Sequence, residues 1–273
     1  MIGRRLVNGV EGAGVAADDR GLQYGDGLFE TMAAVDGSIR HFELHMGRLA
    51  DGCKRLWIPM PGIEQIAADC RRVLEGLGSA TVKLIVTRGA GPRGYAPPDE
   101  PTVTRIVTAA SSHAHDAAAM RPVVAQVCRT RLALSEQFAG MKHLNRIEQV
   151  MAAAELRGSS VDEGLMLAMD GRLVCATSAN LFLVRSGRLL TPMIRDCGVA
   201  GVMRQVVLRA ADELGMPIVI GDLEIGDLAD ADEVFLTNAV RGIRPVFAVP
   251  GIGRYETGEV TQRLCAQLVA ECA

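Results

Sequence analysis

Short apolar runs separated by turn dipeptides set the pattern of this chain. Asp36-Gly37 stands between the runs 29–35 and 38–42, Asp170-Gly171 between 164–169 and 172–176, and Ser186-Gly187 between 181–185 and 188–191. Asp-Gly between apolar runs signals a type I′ hairpin, whose two central residues both adopt positive φ. Repeated hairpins predict antiparallel sheet rather than a βαβ series. Helical spacing falls between the strands. Over 43–57, Leu49, Cys53, Leu56 and Trp57 share one face. Residues 62–77, 143–157, 199–214 and a stretch near 257–271 also read as helices. The fourth follows Gly198 and stops at Gly215-Met216-Pro217.

The segment from Ser111 to Pro122 is polar and alanine-rich and shows no period. It predicts a boundary: an N-terminal α+β domain over 1–113, a linker over 114–121, and a C-terminal α+β domain over 122–273. Two antiparallel-rich domains of this kind are expected to hold a ligand in a cleft.

The chain has 273 residues, 49% hydrophobic and 22% charged, with a net charge of -3. That is enough to bury a core, and it argues against disorder. The near-balanced charge disfavours nucleic acid or an anionic membrane as partner. Arg4 and Arg5 precede no apolar stretch of secretory type, so no signal peptide is expected. No apolar run approaches the roughly 20 residues of a membrane helix. The 7 cysteines are odd in number and show no C-x-x-C pair. Reduced thiols in a cytoplasmic protein are expected, not a disulfide framework or a metal cluster.

Two motifs mislead. Gly89-Ala90-Gly91-Pro92-Arg93-Gly94 spells G-x-G-x-x-G, but Pro97, Pro98 and Pro101 follow where a dinucleotide site needs a helix. A glycine-rich active-site loop is the better reading, with Arg93 able to reach an anion. His41 and His45 are four apart, yet the Glu lies two residues after the first His rather than directly after it. They read as surface or capping histidines. His113 and His115 fall in the expected linker and carry no assignment.

Lys142 sits at a loop-to-helix junction within Ala139-Gly140-Met141-Lys142-His143-Leu144. In an apolar setting, desolvation would favour its neutral, nucleophilic amine. Taken alone it reads far better as a surface lysine with a snorkelling stem. Three more segments change the balance. Residues 19–31 form a glycine-dense run that ends in a strand. His45-Met46-Gly47-Arg48-Leu49 puts Arg48 on the polar side of the first helix. Gly198-Val199-Ala200-Gly201-Val202-Met203 turns into a helix whose free N–H groups suit a phosphate.

In this order, the four segments resemble the fold-type IV pyridoxal-phosphate enzymes, the class-IV aminotransferase family, over nearly the whole chain. The resemblance is strongest to aminodeoxychorismate lyase. It implies the D-amino-acid aminotransferase-like fold with pyridoxal 5′-phosphate as cofactor. By the same resemblance Lys142 carries the cofactor and Arg48 pairs with its phosphate. Val202 and Met203 offer backbone amides to that phosphate. The family often has Thr where Met203 and Ala239 stand. It usually has Glu five residues before Asn180, to keep the pyridine nitrogen protonated, and this chain has Cys175 there. A thiol is a weak donor and mostly neutral. That departure favours an elimination ending in an aromatic ring over full transamination.

The implied reaction converts 4-amino-4-deoxychorismate to 4-aminobenzoate and pyruvate, a step of folate biosynthesis. A substrate with two carboxylates calls for cations. Arg93, Arg105 and Arg241 are candidates and Asn238 a hydrogen-bonding one, although each arginine reads equally as a solvated side chain. An aminotransferase acting on D- or branched-chain amino acids is the alternative. A catalytically idle cofactor- or metabolite-binding protein is a third. The family resemblance also implies a homodimer.

Overall fold

A computed structural model of the chain describes residues 2–112 and 120–270. Its contacts separate two units, Met1–His115 with Met141–Asn145, and Asp116–Gly140 with Arg146–Ala273. The expected linker falls almost wholly on 113–119, outside the described residues, as do His113, His115 and Cys272.

The first unit holds β1 (Ile2–Val7), β2 (Val10–Glu11), α1 (Arg20–Tyr24), β3 (Gly27–Val35), β4 (Ser38–Ile39), α2 (Phe42–Leu56), α3 (Ile63–Leu74), β5 (Ser79–Thr87) and β6 (Thr104–Ser111). Its six strands form one antiparallel sheet in the order β2-β1-β6-β5-β3-β4. Asp36 (φ 48°) and Gly37 (φ 78°) form the predicted β3–β4 turn. Asn8 (φ 50°) and Gly9 (φ 80°) make a second turn of this kind, between β1 and β2, from an Asn-Gly signal not used above.

Helices α2 and α3 cover one face of this sheet. Met46, Leu49 and Cys53 of α2 join Leu28, Met32 and Leu84 in the core. A Cβ on Gly52 would lie 2.9 Å from Leu28 Cδ1, so this glycine lets α2 come close to β3. Trp57 departs from the expected apolar face. It is the left-handed residue after α2 (φ 52°) and is 80% exposed. The Arg88 guanidinium donates to the Leu56 and Trp57 carbonyls, a cation at the negative end of the helix.

The second unit holds β7 (Val123–Val127), α4 (Ile147–Ala154), β8 (Glu163–Leu167), β9 (Leu173–Ala176), β10 (Asn180–Arg185), β11 (Arg188–Pro192), α5 (Val202–Glu213), β12 (Ile218–Gly221), α6 (Ile225–Ala229), β13 (Glu233–Asn238), β14 (Gly242–Val249), β15 (Gly253–Arg254) and α7 (Glu259–Ala270). Its sheet runs β12-β11-β10-β13-β14-β7-β8-β9, with β15 on β14. It is mixed rather than simply antiparallel: β11 pairs parallel with β12, and β7 pairs parallel with both β8 and β14. Helix α5 makes the crossover from β11 to β12, and the segment containing α4 makes the one from β7 to β8. Hairpin signals are local and carry no trace of such crossovers. Ser186 (φ 50°) and Gly187 (φ 72°) form the predicted turn. At Asp170-Gly171 only Gly171 has positive φ. Ala168 N–H donates to Arg172 O and Gly171 N–H to Ala168 O, a longer bulged connection in place of a two-residue turn.

The expected helix over 143–157 begins only at Ile147. Residues 141–145 pack with the first unit instead, so Lys142 does not belong to the C-terminal domain as expected. The reason is backbone pairing with β3, described next.

Candidate active site

The start of β3 has a sheet neighbour on one side only. β5 pairs with all of Gly27–Val35, whereas β4 reaches only Ala34 and Val35. The vacant edge takes up the lysine segment. Phe29 N–H donates to Lys142 O at 2.9 Å, and Leu144 N–H to Gly27 O at 3.0 Å. Asn145 Nδ2 adds a bond to Gly25 O at 3.1 Å. The glycines make room for this approach. A Cβ on Gly25 (φ 66°) would lie 2.5 Å from Asn145 Oδ1, and one on Gly27 would lie 2.9 Å from Leu144 Cδ1.

Lys142 is half-buried, with Nζ 4.3 Å from the centroid of the Phe29 ring. Only three lysines occur in the chain, Lys54, Lys83 and Lys142. The other two are exposed, although Lys83 Nζ also lies 5.3 Å from the Phe29 ring.

The next residue of β3, Glu30, is 1% exposed and gathers two cationic or polar partners from α2. Arg48 Nε donates to Glu30 Oε1 at 2.8 Å, and Arg48 Nη2 donates to Oε2. His45 Nδ1 lies 2.6 Å from Oε2, which assigns the proton to that nitrogen. Burial pushes the Glu30 carboxyl up. The hydrogen bonds from His45 and Arg48, and their charges, outweigh it and hold the group below the usual carboxylate range. His45 is therefore a buried orienting group, not the surface or capping histidine expected. Lys142 and Arg48 thus attach to adjacent positions of β3, Phe29 and Glu30.

In the second unit, the turn into α5 is held at several points. Gly198 (φ 85°) lies against Val174, where a Cβ would come within 2.9 Å of Cγ1. Gly140 N–H donates to Gly198 O, and Ala200 N–H donates to Gly140 O, both at 3.0 Å. Asn180 Nδ2 donates to Val199 O at 2.9 Å. Gly201 occupies the N-cap with no side-chain bond, and the first turn of α5 holds no acid. Arg204, in that turn, donates to Pro192 O and Thr191 Oγ1, both neutral, and burial lowers its pKa. An uncapped helix head beside a half-buried arginine with neutral partners favours an anion.

The class-IV aminotransferase profile, described as "Amino-transferase class IV", matches residues 27–249. The chain belongs to this family. An aminodeoxychorismate lyase of Vibrio harveyi is 36% identical to it over 275 residues, covering 96% of this chain and 98% of that protein. A branched-chain-amino-acid aminotransferase of Salmonella typhimurium is 30% identical over 268 residues, covering 93% and 86%. The crystal structure of 4-amino-4-deoxychorismate lyase from Pseudomonas aeruginosa superposes with a TM-score of 0.91 at 44% identity, covering 98% of each chain.

The surroundings of Cys175 define its charge. Cys175 is buried in β9, and burial pushes its thiol up to about 12, with Cys197 adding to this and Arg146 opposing it. The side chain is a neutral thiol at physiological pH.

The candidate substrate residues separate into distinct cases. Arg93 is exposed in the loop after β5, and no helix follows its glycines. Arg20 holds that loop through the carbonyls of Gly94, Tyr95 and Ala96. Arg105 donates to Asp69 Oδ2 at 2.7 Å, an ion pair that ties β6 to α3. Asn238 accepts from the N–H groups of Val240 and Arg241 and donates to Ser178 O, so it shapes a turn rather than presenting a vacant amide. Arg241 is exposed.

Sequence reasoning missed Glu163 and Arg244. Glu163 is 3% exposed, accepts from Thr177 Oγ1 and Ser178 Oγ, and lies 3.6 Å from Arg244 Nη1. Burial, then the nearby Arg241, lower the Arg244 pKa. The signal was a charge inside an apolar run, Arg244 within 242–249.

Proposed function

We propose that the protein is a pyridoxal-phosphate lyase that converts 4-amino-4-deoxychorismate to 4-aminobenzoate and pyruvate. The observation that carries this reading is Lys142. It is the one lysine of three that is not exposed, and it is clamped by its backbone to β3 in a chain of this family.

The residues suit the cofactor. The Lys142 amine against Phe29 would carry its aldehyde carbon. The amides of Val202 and Met203, at the uncapped head of α5, would take its phosphate, with Arg48 as the cationic partner. When bound, pyridoxal 5′-phosphate supplies the sink for the electrons of the broken C–H bond. The Lys142 amine would act as general base at the carbon bearing the substrate amine and hold that proton on Nζ. The C–O bond to the neighbouring enolpyruvyl group then breaks, and the ring becomes aromatic. The departing enolpyruvate takes up a proton to become pyruvate. Glu30 keeps the Arg48 guanidinium oriented. Cys175 keeps its proton on Sγ and leaves the sink weak, which suits an elimination driven by aromatisation better than transamination.

Lys142→Ala is expected to abolish both the visible cofactor band and pyruvate release from aminodeoxychorismate. Retention of either in the purified variant overturns the assignment. The likeness to a branched-chain aminotransferase sustains a second reading. Conversion of the bound cofactor to its amine form by an amino acid, without pyruvate release from aminodeoxychorismate, would favour it.

We also read the protein as cytoplasmic and homodimeric. None of the described helices is long and apolar enough to cross a membrane. All six described cysteines are unbridged. Ile147, Val150 and Met151 expose an apolar stripe along α4 that supports a second copy as partner.

A further inference from the structure

We propose that Asn180 is the positioning residue that aims the phosphate-binding amides of α5. This rests on the cofactor reading above. Asn180 opens β10 and is 6% exposed, ahead of Leu181 and Phe182, which are fully buried. A buried amide is costly unless bonded, and this one spends its donor on a single carbonyl, Val199 O, at 2.9 Å. Its other end fills the space that a side chain at position 201 would need. A Cβ on Gly201 would lie 2.0 Å from Asn180 Oδ1 and 3.2 Å from Cγ. Asn180 and Gly201 are thus a matched pair, the side chain of one packed where the other has none.

The turn 198–201 is held from two directions, by Asn180 at Val199 O and by Gly140 at Gly198 O and Ala200 N. No side chain caps α5, so these clamps decide where the N–H groups of Val202 and Met203 point. Direction matters more here than in a chain with a hydroxyl at position 203. Met203 offers no side-chain donor, so its contribution is its N–H alone, and such bonds weaken steeply when bent.

The test is equilibrium binding to the full-length apo protein, read by the visible band, with pyridoxal 5′-phosphate and with pyridoxal. Asn180→Ala should raise the dissociation constant for pyridoxal 5′-phosphate by about tenfold, the equivalent of one well-made hydrogen bond to an anion. It should leave pyridoxal, which lacks the phosphate, unchanged within about twofold. Gly201→Ala should reproduce this selective loss by displacing the Asn180 amide, and it serves if Asn180→Ala fails to fold. In the Asn180→Ala background Gly201→Ala should cost less, because its clash is gone. Equal losses for both ligands, no loss for either, or additive penalties would overturn the role. If the wild-type chain forms no band with either ligand, the cofactor reading itself falls, and this inference with it.

Discussion

Two helix heads in the second unit meet the same electrostatic problem and resolve it differently. At α7, the buried Glu233 carboxylate accepts from Val260 N at 3.1 Å and Thr261 N at 2.9 Å, so the donors are matched within the protein. At α5, no side chain caps the helix, no acid lies in the first turn, and the half-buried Arg204 has only neutral partners. The first unit follows the α7 pattern. Glu30 is surrounded by His45 and Arg48, so its carboxylate is matched within the protein. A head with neither a side-chain cap nor an acid in its first turn, beside an arginine with neutral partners, suits an anion.

Variants can break this contrast from either end. The largest effect is expected in the first unit. Glu30→Ala leaves the buried His45 and the half-buried Arg48 without their carboxylate, and one-sided loss of a buried pair costs about 3–5 kcal/mol. Denaturant unfolding should show a fall of that size, and a fall under 1 kcal/mol would mean the cluster is not the closed network described. Glu233→Ala should cost about 1–3 kcal/mol by orphaning two donors. It should leave cofactor affinity unchanged, which separates a structural helix head from a binding one. Loss of affinity in that variant would erase the distinction.

The smallest expected effect is a pH dependence. Glu155 accepts from the Thr130 hydroxyl and from the N–H groups of Arg129 and Thr130, and its pKa falls from 4.5 to about 2. A carboxyl depressed on folding stabilises the protein above its unfolded pKa. That contribution is complete above about pH 4.5 and disappears as pH falls through about 2. Glu155→Gln should flatten the loss of stability across this window, and an unchanged slope would show that the carboxylate does not contribute.

The legible part of the fold was the part written locally. Asp36-Gly37 and Ser186-Gly187 specify their turns because both residues must take positive φ, and both do. The turns into and out of α5 were equally visible as glycines at 198, 201 and 215. What escaped depends on partners distant in sequence. Glu30 looks like a polar interruption of a strand until Arg48, 18 residues on, closes over it. Glu163 and Arg244 are farther apart still. Arg105 gave no sign of its partner because Asp69 lies in α3, 36 residues away. The lysine segment read as the start of a helix, since no periodicity reveals that β3 has a vacant edge to receive it. The family resemblance, not the pattern, singled out Lys142.

Borohydride reduction of the purified protein loaded with pyridoxal 5′-phosphate, followed by peptide mass spectrometry, tests the central claim most directly. With only Lys54, Lys83 and Lys142 available, the account predicts the phosphopyridoxyl label on Lys142 alone. A label on Lys83, the other amine facing Phe29, or an unlabelled Lys142 would contradict it.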